Sequence, residues 1–101
     1  VFKNRENRYM ARSISEEVHP EIATILWQLI DAKRLQNVEL DYLQVFELSE
    51  RDGKQAVIQR QEVPEMRSLY IIRLKQTQPI TMTIWCIDSG ETEMMLMPED
   101  Y

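Results

Sequence analysis

Two side chains with the intrinsic chemistry of a catalyst or metal ligand occur once each in this chain, His19 and Cys86. An imidazole can shuttle protons or bind a metal near neutral pH, and a thiolate can attack or ligate an electrophile. One of each supplies no spaced ligand set, so no metal site is expected. His19 directly precedes Pro20, which places it at the mouth of a helix in a capping neighbourhood. Cys86 lies between Trp85 and Ile87, where an apolar strand raises the thiol pKa and no base is at hand, so packing is its expected role. Paired acids occur at Glu16-Glu17 and Glu99-Asp100. A hydrolytic pair must face across a cleft, whereas adjacent charges near chain ends read as solvated. The two glycines, Gly53 and Gly90, fall in turns, so there is no phosphate-cradling loop. These patterns do not describe an enzyme, and no cofactor or catalytic residue is expected.

The elements that would carry any site are clearer than the site. Leu43, Val45, Phe46 and Leu48 lead into Asp52-Gly53, and Ala56, Val57 and Ile58 lead out, with polar residues interleaved. Asp-Gly between two apolar runs is a strong hairpin signal, and it predicts strands near 42–49 and 55–62. Upstream, residues from about Arg8 to Ile14 alternate weakly as a first strand, and a helix is expected from Pro20 to Arg34. On that helix Ile22, Ile25, Leu26 and Leu29 form one stripe, widened by Ala23, Trp27 and Ile30. The apolar arc is wider than one sheet face covers, so Trp27 at its margin packs under a loop or meets another subunit.

Pro64 interrupts the pattern, after which Leu69 to Lys75 resumes as a strand with Tyr70, Ile72 and Leu74 on one face. Ile80 to Asp88 follows, with Ile80, Met82, Ile84 and Cys86 on one face and Thr81, Thr83, Trp85 and Ile87 on the other. Ser89-Gly90 leads into a short last strand, Met94 to Met97, stopped by Pro98. The reading is α+β in one domain, residues 1–101: one main helix packed on a mostly antiparallel, meander-like sheet of five to six strands. Phe46, Leu48, Trp85, Ile87 and the methionines are too many for water, so the second sheet face curls toward a barrel or is buried in a dimer. The methionine cluster fits either an edge strand with both faces partly buried or a partner-binding strip. Trp27, Tyr70, Trp85, Met94, Met95 and Met97 are therefore the candidates for an interface or pocket.

A net charge of −5 disfavours direct nucleic-acid binding. Charge is also unevenly placed. Residues 1–12 carry Lys3, Arg5, Arg8 and Arg12 against Glu6, while residues 88–101 carry five acids and no base. Either the two ends are separately solvated or they lie side by side, within one subunit or between two. No apolar run has the length of a membrane span and no signal peptide is evident, so no membrane partner is expected; with a single cysteine, the expected compartment is the cytoplasm.

Three segments together carry a family resemblance: Leu26-Trp27-Gln28-Leu29-Ile30-Asp31, then Asp41 to Leu48 with Asp52-Gly53 behind it, and Ile87-Asp88-Ser89-Gly90 through Glu99-Asp100-Tyr101. The chain resembles a family of short uncharacterised proteins of Firmicute bacteria and their mobile elements, over nearly its whole length. The shared motifs are packing and turn elements. The resemblance implies a bacterial cytoplasmic protein, with phage or plasmid cargo as a context, and assigns no residue a role.

Three functions follow as expectations. The first is a small non-enzymatic interaction or regulatory module with a protein partner or a homodimeric copy. The second is a small-ligand binder with a pocket between helix and sheet. The third is an acidic protein that occupies a nucleic-acid-binding site on a partner.

Overall fold

Asp52 and Gly53 take φ of 52° and 78°, the paired positive values of a two-residue turn whose twist matches its flanking strands. Around it the computed structural model, which describes residues 1–101, builds the hairpin that anchors the sheet. In chain order the elements are β1 (Arg8–Met10), α1 (Arg12–Glu17), α2 (Pro20–Leu35), β2 (Leu43–Arg51), β3 (Lys54–Gln61), β4 (Met66–Ile72), β5 (Met82–Asp88) and β6 (Glu93–Leu96). Short 3-10 turns at Arg5–Asn7 and Pro98–Asp100 flank the set. No helix is long and apolar enough to cross a membrane. The fold is α+β, with one main helix and a six-stranded, mostly antiparallel sheet.

α2 starts and stops as its sequence directs. The His19 side chain caps it by accepting the Glu21 amide at Nδ1 (3.0 Å), and Pro20 occupies the first turn, where a missing N–H is harmless. At the other end Asn37 takes φ 62°, with Asn37 N–H bonding the Arg34 carbonyl and Val38 N–H the Lys33 carbonyl. That is a Schellman stop with asparagine in the usual glycine place. Ile22, Ala23, Leu26 and Ile30 form the buried line, and Trp27 and Leu29 pack at its margin. At that margin Trp27 meets the Arg8 guanidinium of β1, 4.6 Å from its ring centre.

The expected first strand is cut short at Met10. Arg12–Glu17 is instead a helix, because Ile14 and Val18, four residues apart, both bury their side chains in the core. The meander also breaks once. The strand order is β1-β6-β5-β2-β3-β4, so β5 crosses back to pair with β2 instead of β4. β5, β2, β3 and β4 thereby form a Greek key. Residues 73–81 make the crossing past the N-terminus of α2, where the Glu21 carboxylate accepts the Lys75 and Gln76 amides at 2.8 Å each. Parallel pairing of β1 outside β6 makes β6 an interior strand, which corrects the edge-strand reading of the methionine cluster.

The inward sheet face is not uniformly apolar. Phe46, Leu48, Val57, Ile84, Cys86, Met95 and Met97 meet the helices, but Gln44, Gln55, Gln59 and Gln61 point the same way and are buried. Each amide holds backbone or a neighbour, Gln59 through Nε2 to Gln44 Oε1 alone, with its own Oε1 left without a partner. Gln55 donates to the Ile80 carbonyl (2.9 Å) and accepts the Ile80 amide (2.8 Å), pinning the crossover. Gln61 donates to the Glu39 and Pro64 carbonyls and accepts from Asp41 N–H and Gln44 Nε2. Buried amides without such partners would cost stability, and here they replace strand pairing for two loops.

Both chain ends are drawn into one ion-pair group. Arg8 Nε donates to Glu93 Oε1 at 2.8 Å, Arg8 Nη1 donates to Asp31 Oδ2 at 3.0 Å, and Glu93 Oε2 accepts the Asn4 amide at 2.7 Å. Asp88 accepts the Phe2 amide, and Ser13 donates to Asp100. The basic and acidic ends therefore lie side by side within one subunit. Burial works against the Arg8 charge, yet its hydrogen bonds and Coulombic attraction to Asp31 and Glu93 outweigh it and hold the guanidinium above its ordinary pKa.

Two predictions follow from these ties. Arg8→Ala leaves Glu93, fully buried, without its cation and should cost about 3 kcal/mol of stability in urea unfolding. The Lys75 and Gln76 hydrogen bonds lower the Glu21 pKa, although the carboxylate is exposed. Its contribution is therefore complete above the unfolded-state pKa and lost as pH falls through the lower folded value. Exchange protection of the Lys75 and Gln76 amides should fade across that acid window, and Glu21→Gln should weaken it already at neutral pH.

Candidate interaction surface

Strand register aligns the outward side chains into rows across the sheet. One row runs Tyr9, Met94, Ile87, Leu43, and the next runs Leu96, Trp85, Val45, Arg60, Arg67. Beyond them lie Thr83, Glu47, Ile58 and Leu69, then Ser49, Ala56 and Ile71. The core cluster that includes the helices contains none of these residues. No helix packs on this face, whose apolar side chains are interrupted by Thr83, Glu47, Ser49, Arg60 and Arg67. Tyr9 is 52% exposed, Leu69 48% and Ile71 45%, whereas Val45, Ala56 and Leu96 sink between larger neighbours. Tyr101 stands edge-on to Trp85 with ring centres 5.8 Å apart, the T-shaped geometry that aromatic quadrupoles favour.

One polar seam crosses the face. Arg60 Nε donates to Glu47 Oε2 at 2.9 Å, and both side chains stay accessible to water, so the pair contributes little to stability. Arg67 sits directly across from Arg60 on β4 with no acidic partner.

The six candidates from the sequence divide between the two sides of the sheet. Trp85 and Met94 lie on the open face. Tyr70 lies on the inner face of β4 with the Lys33 ammonium 5.9 Å from its ring centre, Trp27 lies under Arg8, and Met95 and Met97 are core. Strand alternation puts Trp85 and Tyr70 on opposite faces, so they line no common pocket. Three shallow concavities lie elsewhere: at the β3–β4 turn around Arg60 to Arg67, beside the C-terminus of α2 around Arg34 and Asn37, and beside its N-terminus around Glu21 and Arg73. None is lined by the six.

The sequence reading missed Asp31 as the partner of Arg8 and missed the inward glutamines. Opposite charge at the two ends was the one available signal for the first. The second had none, because polar residues in an alternating strand read as outward-facing. Chemically the ion-pair group is saturated, since Arg8 spends its fork on two carboxylates and its face on Trp27. The N-cap occupies His19 Nδ1, and no group of three or more His, Cys, Asp or Glu is placed to hold a metal. Burial pushes the Cys86 thiol far above its ordinary pKa, with the nearby Arg8 lowering it and Glu93 raising it by smaller amounts.

The profile of a family described as "Staphylococcal protein of unknown function (DUF960)" matches residues 7–100. The chain belongs to this family. The DUF960 match takes in every strand of the open face and all three members of the ion-pair group. No curated protein matches the chain. Among solved structures, it is similar to one described as a "protein of unknown function from Enterococcus faecalis", with a TM-score of 0.88 at 21% identity, covering 99% of this chain and 94% of that one. At that identity the likeness shows the fold alone, and the DUF960 sheet with its one main helix is thus shared by a protein from a second Firmicute. Neither comparison indicates a specific role.

Cys86 yields a direct check of this assignment of side chains. A buried thiol held neutral should resist a thiol reagent such as Ellman's compound in the native protein at pH 8, reacting only as fast as the chain unfolds. Rapid labelling of the folded protein would place Cys86 outside the core.

Proposed function

We propose that this protein is a non-enzymatic cytoplasmic interaction module that self-associates through the open face of its sheet. The observation that carries the reading is the uncovered face itself. Half-buried Leu43, Trp85, Ile87 and Met94 together with exposed Tyr9, Leu69 and Ile71 make an apolar surface that no helix covers, of the kind that marks an interaction site. Five gaps of about 4.8 Å and strands averaging about six residues at about 3.3 Å each project to roughly 480 Å² before side-chain relief. Stable interfaces take about 800 Å² of accessible surface from each partner, the same order.

The row pattern supports a second copy as the occupant. Val45 pairs with Trp85 and Leu43 with Ile87 on neighbouring strands. A two-fold axis parallel to the strands, running between β2 and β5, lays Trp85 of one copy over Val45 of the other, and Ile87 over Leu43. Thr83 then faces Glu47, a hydroxyl against a carboxylate, while Arg67 on the outermost strand stays at the solvated rim. The product is a sandwich of two sheets about 10 Å apart, each with its helices outside.

Sedimentation velocity from 1 to 500 μM should show a monomer giving way to a dimer. Ile87→Glu buries an uncompensated carboxylate at the centre of the interface and should weaken association about 100-fold while leaving the circular dichroism spectrum unchanged. A wild-type protein that stays monomeric throughout, or an Ile87→Glu variant that dimerises equally well, contradicts the proposal.

A further inference from the structure

The two edges of the sheet are unequal. β1 is three residues long, and a 3-10 turn and α1 flank it closely. β4 runs seven residues, pairs with β3 alone, and contains neither proline nor bulge in its register. None of its backbone groups bonds to a turn, loop or side chain outside the sheet. Natural sheets usually guard such an edge with inward charge, a break or a covering segment. The inner side of β4 is also incompletely covered, since Tyr70 and Ile72 pack only partly against the core, at the limit of what α2 reaches.

Charge decides what fits there. In a chain of net −5, residues 66–75 carry Arg67, Arg73 and Lys75 and no acid. Lys33 adds a fourth cation, its Nζ donating to Ser68 Oγ at 2.8 Å, and Arg60 stands across from Arg67. Like charges directly opposite on neighbouring strands are unfavourable; Glu47 pairs with Arg60, and Glu62 and Glu65 of the adjoining turn lie beside the two arginines without an ion pair to Arg67. Pairing β4 with the β4 of another copy would set one basic edge on another.

From these observations we infer that β4 accepts an extended acidic segment of a partner protein as a seventh strand. Main-chain hydrogen bonds to the open edge supply affinity, and alternate side chains supply selectivity. Apolar residues of the segment meet Leu69 and Ile71 on the open face, and a carboxylate on that same face of the segment meets Arg67. This surface is separate from the dimer axis proposed above and stands without it.

The test uses the full chain, as wild type and as Ile87→Glu, with a fluorescein-labelled heptapeptide, Glu-Thr-Val-Thr-Val-Thr-Glu, whose valines and glutamates share one face. Fluorescence anisotropy should show saturable binding that weakens as salt rises, and the amides of Met66–Ile72 should gain exchange protection. Arg67 is exposed, so Arg67→Glu should fold normally and raise the peptide Kd at least tenfold, whereas the same peptide with lysine for glutamate should not bind. Absence of binding at millimolar peptide, equal binding of the lysine peptide, indifference to Arg67→Glu, or protection confined to other strands would each overturn the inference. Binding by the Ile87→Glu monomer separates this outcome from failure of the dimer proposal.

Discussion

One long helix cannot roof both sides of six strands, and this imbalance governs the molecule. α2 is 16 residues long and about 10 Å wide, while the sheet is about 24 Å across. It covers the centre of one face, and α1 closes the end of that face with Ile14 and Val18. Everything apolar on the other face must find shelter among its own neighbours or in another chain. Val45, Ala56 and Leu96 manage the former; Tyr9, Leu69 and Ile71 do not.

The polar groups inside the core follow from the same shortage of cover. With little helix to tie down, the crossover and the α2–β2 loop are held by Gln55 and Gln61, whose amides satisfy backbone groups that strand neighbours would otherwise satisfy. At the opposite side of the sheet, Arg8 joins β1, β6 and α2 through Glu93 and Asp31. A hydrophobic group of similar volume there would serve stability as well or better. The ion pairs instead tie β1 to β6 in one register, Arg8 and Glu93 being register partners.

Local features were legible in the sequence where local chemistry decides. Asp52-Gly53 marked the hairpin, His19-Pro20 marked the start of α2, and alternation assigned Ile84 and Cys86 to one face and Trp85 and Ile87 to the other. Strand order was not legible, because β5 chooses β2 over β4 through long-range register and through the Glu21 and Gln55 anchors of the crossover. α1 is hidden in the sequence because Ile14 also fits a weak strand alternation from Arg8, although its spacing to Val18 is helical. Grouping Trp27 and Tyr70 with Trp85 failed for a geometric reason, since the sheet itself stands between them. Trp85 and Met94 do share the surface on which the functional reading rests.

A soluble paramagnetic agent addresses the one-sided cover most directly, by reporting in solution which side chains water reaches. In a dilution series followed by NMR, the Trp85 indole and the Ile87 and Leu43 methyls should be strongly relaxed at low micromolar concentration. They should become protected as concentration rises, while Ile30 and Ile84 stay protected throughout. Protection of both sets at every concentration would mean the face is already covered within one chain, and would contradict the account.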